Sequence, residues 1–238
     1  MAGVESEKRR DGEGNMQERP RQLKDIILDF LYPPIHHCIY CGTEKNLASE
    51  NLCEECKKLE EKLEISQAMM LEKYEALSLF RYEGIVKDLI HRMKFGKNSY
   101  LTRYMASQLA ERMKRDNRPV DFLTFVPIHK SRFRVREFDQ SEKICKFLAV
   151  ELEIPYGKVI KKVKGNKPQS SLHKTERKQN VKDVYHLEPK WEGKLEGKVV
   201  YLIDDVLTTG STALECAKVL RACKPKEIHI LTFAKSGA

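Results

Sequence analysis

The chain has 238 residues, of which 33% are charged and 41% are hydrophobic, so it can bury a core and is not wholly disordered. Lys and Arg outnumber Asp and Glu by 44 to 35, and the formal charge of +9 favours an anionic partner, either nucleic acid or a phosphorylated small molecule. No apolar run approaches the roughly 18 residues of a membrane span, and residues 1–21 lack the apolar stretch of a secretory signal. We therefore expect a soluble, cytoplasmic protein.

The first half of the chain is predicted to be helical around a cysteine cluster. Residues 1–22 carry few apolar side chains and are predicted to be a disordered tail. The apolar spacing from Leu23 predicts a short helix that ends at Pro33 and Pro34. Spacings of three and four predict further helices over 57–76, from Gly84 onward and over about 100–115.

From Asp121 the pattern changes to short apolar runs that alternate with helices. Strands are predicted at 121–128, 156–163, 197–205 and 227–233, with helices at 139–152 and 212–222. Strands that alternate with helices are typical of an α/β fold with a parallel sheet flanked by helices.

Four of the seven cysteines lie close together, with the spacing Cys38-x2-Cys41-x11-Cys53-x2-Cys56. Two CxxC pairs supply four thiolates, which suit a tetrahedral zinc ion and leave no open position for a catalytic water, so the predicted site is structural. Gly42 suits the tight turn of such a loop, and the neighbouring His36 and His37 are expected to be bystanders. The remaining cysteines are predicted to be small core residues, namely Cys145, Cys216 and Cys223.

The most informative stretch runs from Val199 to Thr212, where five apolar residues lead into two carboxylates, a hydroxyl-rich loop and a helix. Ligands bind at the carboxyl ends of strands in open α/β sheets, and a loop before a helix N-terminus suits phosphate. The carboxylates of Asp204 and Asp205 suit sugar hydroxyls or a divalent cation instead. The predicted ligand therefore combines a phosphate, a ribose and a metal, and the Walker signature GxxxxGK[ST] is absent.

The stretch IDDVLTTGST (203–212) resembles the 5-phosphoribosyl 1-pyrophosphate (PRPP) motif of type I phosphoribosyltransferases. The order of a cysteine ribbon, LIHRMKFGKN (89–98), VPIHKSRFRVREFDQSEKI (126–144) and PQSSLHKTERKQNVKDVY (168–185) is similar to the ComF family, whose ComFC-type members are linked to DNA uptake by competent bacteria. The resemblance covers about residues 30–235. The family usually reads RGFNQ where this chain has Arg136-Glu137-Phe138-Asp139-Gln140, so an acidic residue replaces the glycine and Asp139 replaces the asparagine.

The resemblance implies an α/β, type I phosphoribosyltransferase-like fold in three parts: a tail at 1–22, a small four-cysteine zinc ribbon at 23–65 and a phosphoribosyltransferase-like domain at 66–238 whose core starts at about 121. It also implies that PRPP binds with Mg²⁺ and that Asp204 and Asp205 are the candidate catalytic residues. The implied PRPP-binding residues are Asp204, Asp205, Val206, Leu207, Thr208, Thr209, Gly210, Ser211, Thr212, Arg132, Lys161, Lys162 and Arg177.

Basic side chains concentrate in two segments, 130–136 and 158–182. The connection at 164–183 is too long for a simple turn and resembles the loops that close over PRPP, where cations offset the charge of departing pyrophosphate. The same cations could form a groove for single-stranded DNA, with aromatic side chains for stacking at Tyr100, Phe133, Phe138, Tyr185 or Trp191.

Two functions therefore remain open from the sequence. The first is a PRPP-dependent phosphoribosyltransferase acting in competence, with an unknown acceptor. The second is a non-enzymatic single-stranded DNA-binding competence factor whose PRPP site is regulatory or vestigial. Competence or recombination proteins are further candidate partners. Because the last predicted strand ends near Phe233, we expect the cover of the active site to come from the N-terminal half, which would place the ribbon and residues 66–115 near Asp205.

Overall fold

The computed structural model describes residues 36–49, 51–95, 99–128, 139–163 and 184–237. The predictions of a tail at 1–22 and a helix from Leu23 lie outside these residues, as do the basic segment 130–136 and residues 164–182 of the basic segment 158–182. Within the described ranges, no helix is both long enough and apolar enough to cross a membrane.

The cysteine-rich segment forms a compact loop, a hairpin and a helix. The backbone N–H of Cys38 donates to the carbonyl of Thr43 (2.7 Å), and Gly42, with φ of 77°, donates back to Cys38 (2.8 Å). Strands β1 (Leu47–Ser49) and β2 (Leu52–Cys53) pair antiparallel, and α1 (Glu54–Glu61) follows directly. Glutamates in the first turn of α1 suit the positive end of the helix dipole.

The prediction of a helix over 57–76 is wrong beyond residue 61. The chain forms β3 (Met69–Leu71) and β4 (Tyr74–Arg81), which pair antiparallel with Leu71 opposite Tyr74. Glu72, at φ of 54°, lies in the two-residue turn between them. The predicted helix fails because residues 69–71 pair with β4 as an edge strand, and local apolar spacing does not specify that pairing.

The next two helices confirm the sequence prediction. They are α2 (Gly84–Phe95) and α3 (Ser99–Arg115). The side chains expected on their buried faces are almost fully excluded from solvent, with Ile85 the one that stays partly exposed. The buried set is Val86, Leu89, Ile90, Met93, Leu101, Tyr104, Met105, Leu109 and Met113.

A five-stranded sheet forms the core, in the order β3-β4-β9-β8-β5, where β5 is Phe122–Phe125, β8 is Val199–Leu207 and β9 is Glu227–Lys235. Strands β4, β9, β8 and β5 run parallel, and β3 is an antiparallel edge strand. Helices α4 (Gln140–Leu152) and α5 (Ser211–Leu220) complete the predicted alternation. Val200 and Leu202 pack with α5 in one cluster, and the alternate residues Tyr201 and Ile203 are also buried, so both faces of the sheet are covered.

The strand predicted at 156–163 is divided between two sheets. Tyr156 forms a single parallel bridge with Leu123 of β5, at the edge of the main sheet. Only β6 (Ile160–Lys162) forms a strand in this range, and it pairs antiparallel with β7 (Tyr185–Leu187) in a separate two-stranded sheet. The N–H of Val163 donates to the carbonyl of Val184 at 2.9 Å. The two ends of the 164–183 connection therefore start side by side.

The three scattered cysteines are core residues, as predicted. Cys145, Cys216 and Cys223 are each 0% exposed. Cys216 and Cys223 belong to the cluster beneath α5, and Cys145 lies on the buried side of α4. Burial raises the pKa of the Cys145 thiol, so it stays in the neutral form that a hydrophobic core tolerates.

Candidate ligand site and cysteine cluster

The two predicted carboxylates lie at the carboxyl edge of the main sheet. β8 carries Asp204 and Asp205 and continues to Leu207, two residues beyond the predicted strand end. Asp204 lies opposite Thr232 of β9, and the parallel strands β4 and β5 end at the same edge. Both carboxylates are partly exposed. The pair therefore borders the crevice in which open α/β sheets bind ligands.

Lys94, in the last turn of α2, forms an ion pair with Asp205. The distance from Nζ to Oδ2 is 2.8 Å, with the lysine side chain 20% exposed and the aspartate 14%. At this exposure solvent screens the pair less than it screens a surface salt bridge. Among the described residues, Oδ1 of Asp205 has no protein partner.

Asp204 is held by different groups. Its Oδ1 accepts hydrogen bonds from the Ser141 hydroxyl and from the backbone N–H of Asp205, both at 2.9 Å. Burial raises its pKa, the Asp205 charge raises it further, and the two donors and Lys94 only partly offset this, so the pKa is about 7. Asp204 therefore changes charge near neutral pH, and the hydrogen bonds of the described residues leave its Oδ2 free.

The loop after β8 presents hydroxyl groups beside a helix N-terminus. Thr208 and Thr209 are exposed, Ser211 and Thr212 are partly exposed, and the hydroxyls of Thr209 and Ser211 lie 3.0 Å apart. No side chain caps α5. Its first backbone N–H groups lack partners within the helix and lie at the positive end of the helix dipole, an arrangement that suits phosphate.

Gly210 brings the edge strand β3 against this loop. It has φ of 73°, and a Cβ placed there would lie 2.6 and 2.7 Å from the methyl carbons of Leu71, the last residue of β3. Only glycine fits this combination of backbone conformation and close approach. The hairpin that the sequence analysis missed therefore packs against the hydroxyl-rich loop.

Asp139, where the resemblance leads one to expect asparagine, has a structural role. It is the N-cap of α4, and its two oxygens accept from different backbone groups: Oδ2 from the N–H of Ile128 (3.0 Å) and Oδ1 from the N–H of Glu142 (3.2 Å). Burial raises its pKa to about 6, although both donors lower it. Asp139 thus joins the end of β5 to the start of α4, which carries Ser141.

The predicted basic residues are only partly within the described chain. Arg132 and Arg177 lie outside it. Lys161 and Lys162 lie on β6, where Nζ of Lys161 is 4.0 Å from the Glu188 carboxylate and Nζ of Lys162 is 5.1 Å from the centre of the Tyr185 ring. The structure thus places these two lysines on the small sheet, which does not include the strand that carries the acidic pair.

The aromatic residues considered for stacking on DNA bases are mostly occupied within the protein. Tyr185 is 6% exposed, so the hypothesis that it stacks on a base is wrong. Trp191 packs on Phe122 with ring centres 5.0 Å apart, and Tyr100 meets His37 edge-on at 6.4 Å. Phe133 and Phe138 lie outside the described residues.

The four predicted cysteines form one cluster. The sulfur atoms of Cys38, Cys41, Cys53 and Cys56 all lie within 4.8 Å of one another, and those of Cys41 and Cys53 are 3.7 Å apart. Thiolates around a tetrahedral zinc ion, at about 2.3 Å per bond, are separated by about 3.8 Å. Burial raises the pKa of Cys38, but the backbone N–H groups of residues 40, 41 and 53 outweigh this and bring it to about 7. The cluster can therefore hold a metal ion, and no other group of potential ligands forms among the described residues.

The cysteine cluster is joined to the rest of the fold by two polar contacts. Arg92 of α2 donates to the carbonyl of Ile39 at 2.6 Å. The carboxylate of Glu60, 5% exposed, accepts hydrogen bonds from the hydroxyls of Tyr40 and Tyr104. Because Arg92 and Lys94 are two residues apart on α2, one helix contacts both the cysteine loop and Asp205. Residues 66–115 therefore reach Asp205 through Lys94, as expected. That the ribbon itself lies near the acidic pair stays a prediction.

Sequence reasoning missed Lys94 and Ser141 as members of the site. Lys94 falls within the 89–98 segment that supports the family resemblance, and this was the signal in the sequence that could have identified it as a site residue. Ser141 carries no comparable signal, because a serine in the first turn of a helix is ordinary. Its contact with Asp204 depends on how α4 packs against β8.

Comparisons with known proteins point to one family. A family model described as the phosphoribosyl transferase domain matches residues 140–238. Competence protein F of Haemophilus influenzae is 28% identical over 207 residues, covering 84% of this chain and 85% of that protein. The DNA utilization protein YhgH of Salmonella typhi is 30% identical over 150 residues, covering 60% of this chain and 64% of that protein.

Among solved structures, the glutamine PRPP amidotransferase from B. subtilis complexed with ADP and GMP overlaps 60% of this chain and 30% of its own, with 19% identity and a TM-score of 0.42. The chain therefore spans less than two thirds of both YhgH and the amidotransferase. The matched family and the observed sheet with its flanking helices confirm the predicted phosphoribosyltransferase-like fold.

Proposed function

The chain belongs to the ComF family of competence-type proteins with a phosphoribosyltransferase domain, and on that premise we propose that it binds PRPP at Asp204–Thr212. We further propose that it acts in DNA uptake and does so in the cytoplasm. The observation that carries the proposal is the end of β8, where two partly exposed carboxylates are followed by a hydroxyl-rich loop and an uncapped helix. Carboxylates fit ribose hydroxyls, and the loop and helix N-terminus fit the 5′-phosphate.

The acidic pair also fits a divalent cation. Asp204 and Asp205 place two carboxylates beside the proposed ligand, and Mg²⁺ prefers oxygen ligands, which PRPP itself would also supply. Bound together with PRPP, Mg²⁺ would offset the charge of the pyrophosphate group. We assign Lys161, Lys162, Arg132 and Arg177 to the same anion, because each extends from a segment rich in cations.

The cysteine cluster is proposed to hold a structural zinc ion. Four thiolates complete a tetrahedral shell, and the spacing of the sulfur atoms matches zinc bond lengths. The ribbon, proposed to span 23–65, would then be a metal-stabilised unit attached to the phosphoribosyltransferase-like domain at 66–238. Over the described part of the ribbon, the two short strands and α1 supply few buried apolar residues for a core of their own.

Titration calorimetry with PRPP and Mg²⁺ tests the proposed ligand. The unsubstituted protein is expected to bind, and D204A/D205A is expected to lose at least about 100-fold in affinity, because each charge-assisted hydrogen bond to a sugar hydroxyl contributes about 1.5–3 kcal/mol. Replacing Asp88, an exposed carboxylate on α2, gives a matched control, D88A, that should bind normally. Equal affinities in D204A/D205A and D88A would reject the assignment of this site.

A second candidate function, the binding of single-stranded DNA, is favoured by the excess of nine positive charges and by the exposed Lys158 beside β6. It predicts that affinity for single-stranded DNA falls steeply with salt and that neutralising the lysines at 158–182 removes this dependence. If D204A/D205A abolishes PRPP binding but leaves DNA binding and DNA uptake intact, the PRPP site is not what the protein uses in uptake. Calorimetry with PRPP, with and without single-stranded DNA, shows whether bound DNA changes the affinity for PRPP.

A further inference from the structure

Three protein groups contact the acidic pair, and in each carboxylate they contact only one of the two oxygens. Ser141 and a backbone N–H engage Oδ1 of Asp204, and Lys94 engages Oδ2 of Asp205. In each carboxylate the other oxygen has no partner among the described residues. A carboxylate fixed at one oxygen cannot rotate freely, so its second oxygen keeps a defined direction. The arrangement therefore leaves two oriented acceptors on adjacent residues.

We propose that Lys94 is a positioning residue for hydroxyl recognition: it fixes Asp205 so that the free oxygens of the acidic pair accept the vicinal hydroxyls of a ribose. The inference rests on the proposed PRPP-type ligand and adds the residue that sets selectivity for ribose over deoxyribose. Adjacent hydroxyls on a furanose require two acceptors with fixed separation. Lys94 and Ser141 supply that fixation from two different helices, α2 and α4.

Lys94 is suited to this task because of its surroundings. Its side chain is 20% exposed and its ammonium lies 2.8 Å from Asp205, so the contact is shorter and more sheltered than a typical surface ion pair. It also lowers the pKa of Asp204 and so supports the charged form of both carboxylates. A neutral side chain at this position would leave Asp205 free to turn and its charge uncompensated.

The cysteine ribbon holds the helix that carries Lys94. Arg92 donates to the Ile39 carbonyl at 2.6 Å, next to Cys38, and this contact lies one half-turn from Lys94 on α2. The ribbon therefore anchors the end of α2 that points at Asp205. Weakening the Arg92 contact should make the position of Lys94 relative to Asp205 less well defined, without altering any group that touches the ligand.

The test compares ribose 5-phosphate with its 2-deoxy and 3-deoxy analogues by calorimetry in the presence of Mg²⁺. The intact protein is expected to prefer ribose 5-phosphate by about tenfold or more over each analogue. K94M should lower the preference for at least one hydroxyl by about tenfold, and K94R should restore most of it because it retains the charge. R92Q should cause a smaller loss in the same direction.

The matched control is K87M, which removes an equal charge two turns earlier on the same helix, where Lys87 is exposed. If Lys94 has a purely electrostatic or structural role, K94M should bind all three sugar phosphates more weakly by the same factor and leave the ratios of their affinities unchanged. That result would overturn the inference. If the unsubstituted protein binds neither PRPP nor ribose 5-phosphate, the proposed function fails and the inference fails with it. Normal binding with unchanged ratios in K94M rejects only the role of Lys94.

Discussion

At the residue scale, Asp204 and Asp205 are adjacent in sequence and differ in environment. Asp205 has a lysine partner at 2.8 Å, whereas Asp204 has hydrogen-bond donors and no ion pair of its own among the described residues. Burial and the neighbouring carboxylate raise the pKa of Asp204 to about 7. The two aspartates therefore contribute differently to ligand binding and to stability, because the charge of Asp205 is compensated and that of Asp204 is not.

This difference predicts a pH-dependent effect of D204N on stability. Both hydrogen bonds of Asp204 go to one oxygen, so the amide oxygen of asparagine can accept both while the negative charge is removed. The pKa of Asp204 lies above its unfolded value, near 3.9, so its ionisation costs stability as pH rises from about 4 to about 7. D204N should thus be more stable than the unsubstituted protein by about 1–2 kcal/mol at pH 8, with the gain shrinking toward pH 4.

Urea unfolding at pH 8, 6.5 and 5 measures this effect. D205N serves as the comparison, because it leaves the ammonium of Lys94 without its partner and should be destabilising at pH 8. Parallel pH profiles for D204N and the unsubstituted protein would show that Asp204 does not have a raised pKa in the folded state.

At the element scale, the site depends on elements from both halves of the chain. β8 and α5 supply the acidic pair and the loop, whereas β3 supplies Leu71 against Gly210 and α2 supplies Lys94. α4 supplies Ser141, and Asp139 fixes the start of that helix. The family model matches only 140–238, so the contributions of β3 and α2 come from outside the matched region.

The contact between β3 and the loop predicts that G210A destabilises the protein by about 1–3 kcal/mol and weakens PRPP binding. Alanine at φ of 73° is strained, and its Cβ would overlap the Leu71 methyl groups. Adding L71A removes the overlap but not the backbone strain. The cost of G210A/L71A should therefore be less than the sum of the single costs, as measured by a double-mutant cycle in denaturant. Strict additivity would show that β3 does not press on the loop.

At the scale of the whole molecule, the ribbon is part of the architecture of the site. The buried Glu60 joins Tyr40 of the cysteine loop to Tyr104 of α3, and Arg92 joins the same loop to α2. Burial raises the pKa of Glu60, which the two tyrosine hydroxyls oppose. The ribbon thus connects the two helices that follow β4 in the chain, and one of these helices reaches Asp205.

Removal of the ribbon metal should affect α2 as well as the ribbon. C53S is expected to reduce the metal content from about one zinc ion per chain to near zero and to speed hydrogen exchange over 38–61 and in α2, while the main sheet stays protected. Mass spectrometry measures both quantities: the zinc content of the protein and the rate of hydrogen exchange in each segment. C145S changes another buried cysteine, outside the cluster, and should retain the metal. Unchanged exchange in α2 after metal loss would show that the ribbon does not stabilise that helix.

The sequence alone determined the features that depend on local pattern. The CxxC spacing predicted the cysteine cluster, the acidic run after an apolar strand predicted the site at the sheet edge, and the periodicity over 84–115 predicted α2 and α3. These signals are readable because the residues responsible are consecutive or regularly spaced. The helix predicted to continue to residue 76 was wrong because Met69–Leu71 pairs with β4 as an edge strand, and local apolar spacing does not specify that pairing.

Only the tertiary structure decided which distant residues complete the site. Lys94 reaches Asp205 across 111 positions of sequence because α2 packs beside the sheet edge, and Ser141 reaches Asp204 because α4 begins there. The antiparallel pairing of β6 with β7 was equally invisible, since strand partners are chosen by long-range packing. The carboxylates and the thiolates can thus be predicted from local sequence pattern. The groups that orient the carboxylates depend on how the helices pack and cannot be predicted in this way.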